Sequence, residues 1–204
     1  PTRAVLTSME APLGTAIGNS LEVDEAVEAL SGKGGRRLME VVEAIGSQML
    51  ILGGKAADED KARACIRHLV QNRKGLKKFR QFVRAQHGSA SWIGKKPLTR
   101  APQMYTAVST ETGYITAIHG RALGELAMRM GAGRARKEDA IDPMVGIRLF
   151  KELYDPVRAG EPLFTLYGNS PAPMEELAKK AAEQIMISDG PAPVHEPVVS
   201  QIIM

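Results

Sequence analysis

The sequence predicts an α/β plus α+β protein, in which the helix-covered remainder of a mixed-sheet α/β domain is followed by a C-terminal antiparallel β/α domain. Three observations lead to this fold class. Residues 3–7, Arg-Ala-Val-Leu-Thr, are mostly apolar and include two β-branched residues, which is typical of a short buried strand. Apolar residues then recur at three- and four-residue steps over residues 21–83, as they do in helices. From residue 103, short alternating stretches bounded by glycine and proline indicate strands.

Three or four helices are expected in the first region, and the first of them spans residues 21–30. A glycine-rich stretch at residues 31–35 is typical of a helix exit. The second helix runs to Gly53 and Gly54. It is predicted from the spacing of Leu38, Val41, Val42, Ile45, Met49 and Leu52.

Asp58 is a candidate N-cap for the third helix, and Gly75 is expected to separate that helix from the fourth. The inner face of the third helix would carry Ala62, Cys65, Ile66 and Leu69. Cys65 is therefore expected to be an ordinary core residue. Several consecutive helices after one strand suggest that they cover a sheet whose other strands lie elsewhere, so we expect an upstream half outside this chain.

The second region begins after residues 89–102, a stretch of glycine, serine, proline and lysine that predicts a linker or crossover loop. The expected elements are strands at 104–108, 113–118 and 162–167, and helices at 122–130 and 174–187. The last helix would carry i, i+4 pairs between Glu175 and Lys179 and between Glu176 and Lys180. The tail from Gly190 is expected to be poorly ordered or to form one edge strand.

Residues 155–163 follow the pattern D-x-V-x-x-G-x-x-L. This pattern resembles the turn and strand of lipoyl-like and biotinyl-type sandwich domains. Such carriers present a modified lysine at a hairpin tip, and no lysine stands in such a hairpin here. The resemblance therefore implies a shared lipoyl-like sandwich architecture rather than a carrier function.

The composition is that of an ordinary globular protein, with 204 residues, 44% hydrophobic residues and 25% charged residues. No apolar run approaches the roughly 20 residues that a membrane span needs. A single cysteine cannot form an internal disulfide, which is consistent with a reducing compartment. We therefore expect a cytoplasmic protein without a membrane partner.

Residues 61–84 contain nine lysine or arginine residues and no acidic residue, although the net charge of the whole chain is only +4. We call this segment the basic stripe. It is either a solvated helix surface or a footprint for an anionic partner. A nucleic-acid-binding module is a rival hypothesis, which is weakened because Phe79 and Phe82 are the only residues in the stripe that could stack on bases.

Catalytic residues are not evident from the sequence. The four histidines, His68, His87, His119 and His195, lack metal-ligand spacing. A helix precedes Gly131 and Gly133, whereas a dinucleotide-binding loop needs a strand there, so a helix end followed by a turn is the better interpretation. We therefore assign no catalytic and no substrate-binding residue to this chain.

The loop at residues 10–19 has an irregular backbone, because it contains Pro12, Gly14 and Gly18. Its carbonyl groups, including those of Leu13 and Ala16, are not all needed for a helix, and Glu25 could fold back toward it. Carbonyl and carboxylate oxygens are the hard ligands that alkali and alkaline-earth cations prefer. A plain loop-to-helix junction is the alternative.

Two blocks of sequence resemble the pyrimidine-nucleoside and thymidine phosphorylase family. Residues 6–26 are similar to the family pattern L-T-x-M-x-x-P-L-G-x-x-[IV]-G-[NH]-x-L-E-V-x-E-A. The second block, residues 113–163, resembles the C-terminal domain of the family. By this resemblance, residues 1–88 are the C-terminal part of the large α/β phosphorylase domain, 89–102 the linker, and 103–204 the C-terminal domain.

The resemblance implies a reversible pentosyl transfer, in which a pyrimidine nucleoside and phosphate, the co-substrate, give the free base and (deoxy)ribose 1-phosphate. Family enzymes are homodimers that associate through a helical domain this chain lacks. Their phosphate loop and base-binding set also belong to the N-terminal half. This fragment would therefore be inactive by itself. A related nucleoside-monophosphate phosphorylase is an alternative, because the residues that select the substrate are not in this chain.

One functional feature of the family does map onto this chain. A monovalent cation (K+) is bound in the family through two carbonyl groups and a carboxylate at the spacing L-x-x-A-x₈-E. Leu13, Ala16 and Glu25 match that spacing position by position. The resemblance therefore implies a potassium site at these three residues.

Overall fold

The computed structural model describes residues 1–134, 136–170 and 174–203. The helices are α1 (Asn19–Leu30), α2 (Arg36–Leu52), α3 (Glu59–Gln71), α4 (Lys74–Ala85), α5 (Gly120–Ala127) and α6 (Met174–Ala182), and a π-helical turn (Met128–Ala132) follows α5. The strands are β1 (Ala4–Thr7), β2 (Ala16–Ile17), β3 (Gln103–Val108), β4 (Gly113–Ile118), β5 (Gly146–Leu149), β6 (Pro156–Val157), β7 (Pro162–Gly168), β8 (Ile185–Ser188) and β9 (Val199–Ile203).

The chain forms two compact units. The first comprises residues 1–8, 26–97 and 196–204, and the second comprises residues 9–25 and 98–195. The predicted combination of helices with antiparallel sheets is confirmed, whereas the lipoyl-like sandwich stays a prediction. Among the described residues, no helix has both the length and the apolar character that a membrane span requires.

In the first unit, β1 and β9 pair as a two-stranded antiparallel ribbon, in which Val5 lies opposite Ile202. The predicted strand at residues 3–7 and the predicted edge strand in the tail are therefore confirmed. The expectation that β1 is buried is wrong for this chain, because only Val5 is partly covered and Leu6 is exposed. Helix α2 packs against both strands and against α3.

Helix α3 begins as predicted, because the Asp58 side chain accepts a hydrogen bond from Lys61 N at 2.8 Å. The break before α4 is at Arg73, which has a left-handed backbone with a φ of 53°, and not at Gly75. The prediction of Cys65 as a core residue is wrong, because it is exposed. Helix α2 lies against Ala62 and Ile66 of α3, so the neighbouring position 65 points outward.

The face of α2 that lies inward differs from the one its apolar residues suggest. Its buried residues are Arg37, Val41, Ala44, Ser47 and Gln48. Exposed apolar residues stand beside them, namely Val42, Ile45, Met49 and Leu52. The predicted helix is confirmed, but most of the apolar stripe that predicts it faces outward.

Arg37 is buried with Nε and Nη2 atoms that have no hydrogen-bond partner among the described residues. It lies in the first turn of α2, where the helix dipole disfavours a cation. We expect Arg37→Met to raise the free energy of unfolding of residues 1–204 by about 1–2 kcal/mol, because it removes an unpaired buried charge but keeps the side-chain volume. Urea denaturation measures this change. The exposed control Arg84→Met on α4 should stay within about 0.5 kcal/mol, and a destabilised Arg37→Met variant would contradict the expectation.

Glu43 on α2 binds α3 through Arg67, whose Nε and Nη2 atoms donate at 2.9 and 2.7 Å. This hydrogen-bonded pair, helped by the charge of Arg63, lowers the pKa of Glu43 from the usual 4.5. The resulting stability is fully present above pH 4.5 and is lost as the pH falls through the lowered folded-state pKa.

We therefore expect Glu43→Gln to cost about 0.5–1 kcal/mol at pH 7, the range for a partly exposed ion pair. The difference from the wild type should shrink below pH 4, where Glu43 also becomes neutral. Urea titrations at several pH values between 7 and 3 would measure it. Wild-type and variant stability curves that run parallel over this range would refute the assigned role of Glu43.

The second unit contains two antiparallel sheets, with strand orders β2-β5-β7-β3 and β6-β4-β8. The predicted antiparallel character is confirmed. The adjacent strands β3 and β4 lie in different sheets, since β3 pairs with β7 and β4 pairs with β6 and β8. The core of this unit includes the fully buried side chains of Ile115, Leu123, Ile147, Phe164 and Leu166.

The predicted final helix is confirmed only to Ala182, because residues 185–188 form β8. The expected ion pairs on α6 are present, at 2.9 Å for Glu175–Lys179 and 2.6 Å for Glu176–Lys180. The extension to Ile187 is wrong. Ile185 and Ile187 alternate rather than follow a helical period, and they lie opposite Ile118 and Ile115 of β4.

Candidate functional site

The loop at residues 10–19 leads into α1 through a turn that requires glycine. Gly18 has a φ of +126°, and a Cβ there would lie 2.5 Å from the Val145 carbonyl oxygen. The Glu22 carboxylate folds back and accepts a hydrogen bond from Gly18 N at 3.0 Å. The bend at Gly18 therefore places Asp24 and Glu25, which lie one helical turn further along α1, beside the loop.

Glu25 is buried, and its carboxylate lies against the loop. Its Oε1 atom accepts hydrogen bonds from Thr15 N at 2.6 Å and from Thr15 Oγ1 at 2.7 Å. A Cβ at Gly14 would lie only 2.0 Å from Oε2, so the absence of a side chain at position 14 makes room for the carboxylate. Oε1 is thus used to hold the loop, and Oε2 faces the backbone of Gly14.

The backbone carbonyls of this loop are of two kinds. Thr15 O accepts from Leu149 N at 2.7 Å, so it belongs to the sheet. Ala16 lies opposite Arg148 of β5. Thr15 and Leu149 thus form a hydrogen-bonded pair. Hydrogen-bonded and non-hydrogen-bonded pairs alternate in an antiparallel ladder, so Ala16 and Arg148 form a non-hydrogen-bonded pair. The Ala16 carbonyl therefore points to the open edge of the sheet, since β2 is the edge strand.

The predicted donor set of Leu13, Ala16 and Glu25 would consist of two carbonyl oxygens and one carboxylate on the same loop-to-helix junction. Such hard oxygen ligands suit an alkali cation rather than a transition metal. Among the described residues, no group of three or more histidine, cysteine, aspartate or glutamate side chains is placed to hold a metal ion. A potassium site at Leu13, Ala16 and Glu25 stays a prediction.

Asp24 forms an interaction that the sequence analysis missed. It is buried beside Glu25 on α1 and forms an ion pair with Arg100, and its two carboxylate oxygens accept from Leu98 N at 3.1 and 3.0 Å. The Arg100 guanidinium also lies 5.9 Å from the ring centroid of Tyr167. The sequence signal for this interaction was the position of Asp24, an acidic residue three positions after the buried Leu21. Its partner Arg100 is 76 positions away along the chain.

The basic stripe covers α3 and α4. Its first three cations have acidic partners outside the stripe, with N–O distances of 3.0 Å for Lys61–Asp58 and 2.7 Å for both Arg63–Glu59 and Arg67–Glu43. The exposed members on and next to α4 are Arg73, Lys74, Lys77, Lys78 and Arg84. Part of the stripe is therefore a surface of ion pairs, and its use by an anionic partner stays a prediction.

Gly131 lies in the π-helical turn that follows α5, and Gly133 is the first residue after that turn, as the helix-end interpretation predicts. A cavity of about 130 Å³ lies between this turn and the start of α1, and Asn19, Glu22 and Gly133 contribute to its lining. Pockets that bind drug-sized ligands usually measure about 300–1,000 Å³. This cavity is too small for a nucleoside.

Residues 114–188 match the family model described as the pyrimidine nucleoside phosphorylase C-terminal domain. The chain is 44% identical over 179 residues to a pyrimidine-nucleoside phosphorylase of Bacillus subtilis (strain 168), a match that covers 87% of this chain and 41% of that protein. Two proteins of the same name from Staphylococcus aureus are also similar. The protein of strain MSSA476 is 36% identical over 202 residues, and the match covers 97% of this chain and 46% of that protein. The protein of strain USA300 is 37% identical over 189 residues, with 92% and 43% covered. The chain thus spans less than half the length of these curated relatives.

Proposed function

We propose, from the premise that this chain belongs to the pyrimidine-nucleoside phosphorylase family, that it forms the C-terminal part of an enzyme that phosphorolyses pyrimidine nucleosides. The observation that carries the proposal is the 44% identity to the Bacillus subtilis protein of that name, over 87% of this chain. In this reaction a phosphate oxygen bonds to the anomeric carbon while the glycosidic C–N bond breaks. The base leaves with the bonding electrons and takes up a proton.

The phosphate- and base-binding residues belong, on this proposal, to the portion of the family polypeptide outside residues 1–204. This chain would then act by positioning rather than by direct chemistry. The complete enzyme is proposed to be a homodimer. A cytoplasmic location stays a prediction, as does the choice between thymidine and a broader range of pyrimidine nucleosides.

Leu13, Ala16 and Glu25 are proposed to hold a potassium ion through their carbonyl and carboxylate oxygens. A bound cation would place positive charge where an anionic co-substrate needs it. The residues of this chain hold the loop in shape. Glu25 accepts both hydrogen bonds of Thr15, and Gly14 leaves room for the carboxylate.

A chimera tests the proposed function directly. Residues 1–204 would replace the matched 41% of the Bacillus subtilis enzyme, and the release of free base from uridine and thymidine would be measured in phosphate buffer. We expect the chimera to be active and residues 1–204 alone to be inactive. A folded chimera that releases no base from either nucleoside would refute the proposal. Light scattering would report whether the chimera is a dimer.

A further inference from the structure

The cations of the basic stripe differ in whether they have acidic partners. No aspartate or glutamate occurs between Asp60 and Glu111. The cations of α3 are paired with acidic residues outside the stripe, as described above. Among the described residues, no acidic side chain forms an ion pair with the four exposed cations of α4, which are Lys74, Lys77, Lys78 and Arg84. We call these four residues the α4 basic face.

The α4 basic face works against the stability of its own helix. Lys74 and Lys78 lie one turn apart, and like charges at this spacing destabilise a helix. Lys74 also lies in the first turn of α4, where the helix dipole favours acidic residues and none is present. Stability therefore does not explain why these charges stand together, and sites where local rules are broken in this way are typically functional.

The α4 basic face lies opposite the side of α4 that packs into the first unit. On that inner side, Leu76 is buried and Phe79 and Val83 are half-buried in a small core cluster that includes Val27 and Ile93. With 3.6 residues per turn, the four cations share the outer half of the helix. This face is about 15 Å long, at a rise of about 1.5 Å per residue.

An exposed aromatic ring stands beside these cations. Phe82 lies one turn after Lys78 and is 58% exposed. Its ring is stacked on that of Phe79, with a centroid distance of 6.4 Å and an interplanar angle of 22°. Because Phe79 packs against the core cluster, the Phe82 ring is held in place while much of it faces solvent.

The positive surface continues on the turn after α4. Gly94 has a φ of +70°, and a Cβ there would lie 3.2 Å from Arg80 Nη2 and 3.3 Å from Leu76 Cδ2. Arg80 Nη2 also donates a hydrogen bond to Ile93 O at 2.8 Å. The turn is thus fixed against α4, and the exposed residues that follow Gly94 are Lys95 and Lys96.

We propose that the α4 basic face and Phe82 bind a single strand of nucleic acid, with phosphates on the cations and one base on the ring. A nucleic-acid strand carries a phosphate about every 3.4 Å along its axis, so about four phosphates fit along this face. Three of the four cations are lysines, which act as point charges and bind phosphate without a fixed orientation. Base stacking on an aromatic ring is likewise independent of sequence.

Two other anionic partners match this surface less well. A helix that binds a membrane surface buries its apolar face among the lipids, but the apolar face of α4 is already buried in the unit through Leu76. Phe82 is the one large apolar side chain of α4 that is exposed. An acidic polypeptide would use the cations but not the ring, whereas a nucleic-acid strand uses both.

The salt dependence of binding gives the first test. A fluorescent oligouridylate of about 12 nucleotides, a length within the site sizes of single-strand-binding proteins, would be titrated with residues 1–204 and followed by fluorescence anisotropy. With about four phosphate contacts, the logarithm of the binding constant should fall with the logarithm of the salt concentration with a slope of about −2.8. This slope is a loss of roughly 50-fold between about 50 and 200 mM salt. No binding at about 50 mM salt would overturn the proposal.

A pair of lysine variants locates the contacts. Lys77→Gln with Lys78→Gln removes two of the four cations, so it should halve the slope and lower the binding constant at about 50 mM salt by at least about tenfold. The matched control is Lys179→Gln with Lys180→Gln on α6, which removes the same charge from two adjacent lysines that are already ion-paired. The control should bind within about twofold of the wild type, and both variants should melt within about 2 °C of it. Equal losses of binding in the two variants would overturn the proposed surface, because net charge alone would then explain the binding.

Phe82→Ala tests the ring separately from the charges. It should lower the binding constant by at least about fivefold through lost stacking and leave the salt slope unchanged, because no charge is removed. Phe150→Ala, at a residue of the second unit that is 48% exposed, is the matched control and should bind within about twofold of the wild type. If Phe82→Ala bound as tightly as the wild type, the single strand would be ruled out as the partner that this surface fits.

Competition separates nucleic acid from the other anions. Unlabelled oligouridylate should displace the labelled strand at a charge concentration at least about ten times lower than polyglutamate or vesicles of phosphatidylcholine and phosphatidylserine. Displacement by either competitor at an equal charge concentration would overturn the proposal in favour of an acidic polypeptide or a membrane. The inference does not rest on the proposed function, because residues 1–204 can bind the strand whether or not the chimera releases free base.

Discussion

Replacing Asp24 with alanine is expected to lower the free energy of unfolding by about 3 kcal/mol, the scale for removing one partner of a buried ion pair. The substitution leaves the Arg100 guanidinium without its carboxylate and Leu98 N without an acceptor. Urea denaturation of residues 1–204 would measure the loss. Hydrogen exchange at the Leu98 amide would report it locally, because that amide bonds to Asp24.

The double variant Asp24→Ala with Arg100→Met is the matched control. It removes both charges, so no unpaired charge stays buried, and it should recover more than half of the lost stability. Asp24→Asn, which keeps one acceptor oxygen, should fall between the wild type and Asp24→Ala. If Asp24→Ala changed the stability by less than about 0.5 kcal/mol, the interaction with Arg100 would be an exposed contact without structural importance.

The second large effect is expected at Glu25. Glu25→Ala should cost about 2 kcal/mol in residues 1–204, because Thr15 N and Oγ1 lose a common acceptor at a buried position. In the active chimera the same variant should raise the potassium concentration needed for half-maximal activity by at least about tenfold, since one charged ligand is removed. Urea denaturation of residues 1–204 measures the stability, and the activity of the chimera is measured with potassium varied at constant ionic strength.

Two further variants separate packing from cation binding at this site. Glu25→Gln keeps an acceptor for Thr15, so it should retain most of the stability while still raising the potassium requirement. Gly14→Ala keeps the carboxylate but displaces it, because a Cβ would lie 2.0 Å from Oε2, and it should weaken both properties. Glu22→Gln on the same helix is the negative control for potassium. If Glu25→Gln left the potassium requirement unchanged, Glu25 would have only a packing role.

Several features could be predicted from the sequence because their causes are local. The first four helices, the Asp58 cap and the ion pairs on α6 depend on residues within one or two turns of each other. The resemblance to the pyrimidine-nucleoside phosphorylase family was recognisable for a similar reason, since the motifs in residues 6–26 are contiguous. The loop shape around Gly18 also follows from a residue type that alone tolerates the backbone angle there.

The structure alone decided which surfaces meet. The spacing in α2 predicts a stripe of apolar residues, but it does not indicate whether that stripe or the adjacent one lies against the β1–β9 ribbon and α3. In the same way, the spacing in α3 did not indicate that Cys65 is exposed. Strand pairing is likewise non-local: Ile185 reads as the continuation of a helix until Ile118, far away in sequence, is placed opposite it. Asp24 was overlooked because its partner Arg100 is distant along the chain. Local propensity and periodicity thus predicted most of the elements, and contiguous motifs carried the resemblance to the family. Burial, strand pairing and the partner of Asp24 depended on contacts that form only when distant segments pack together.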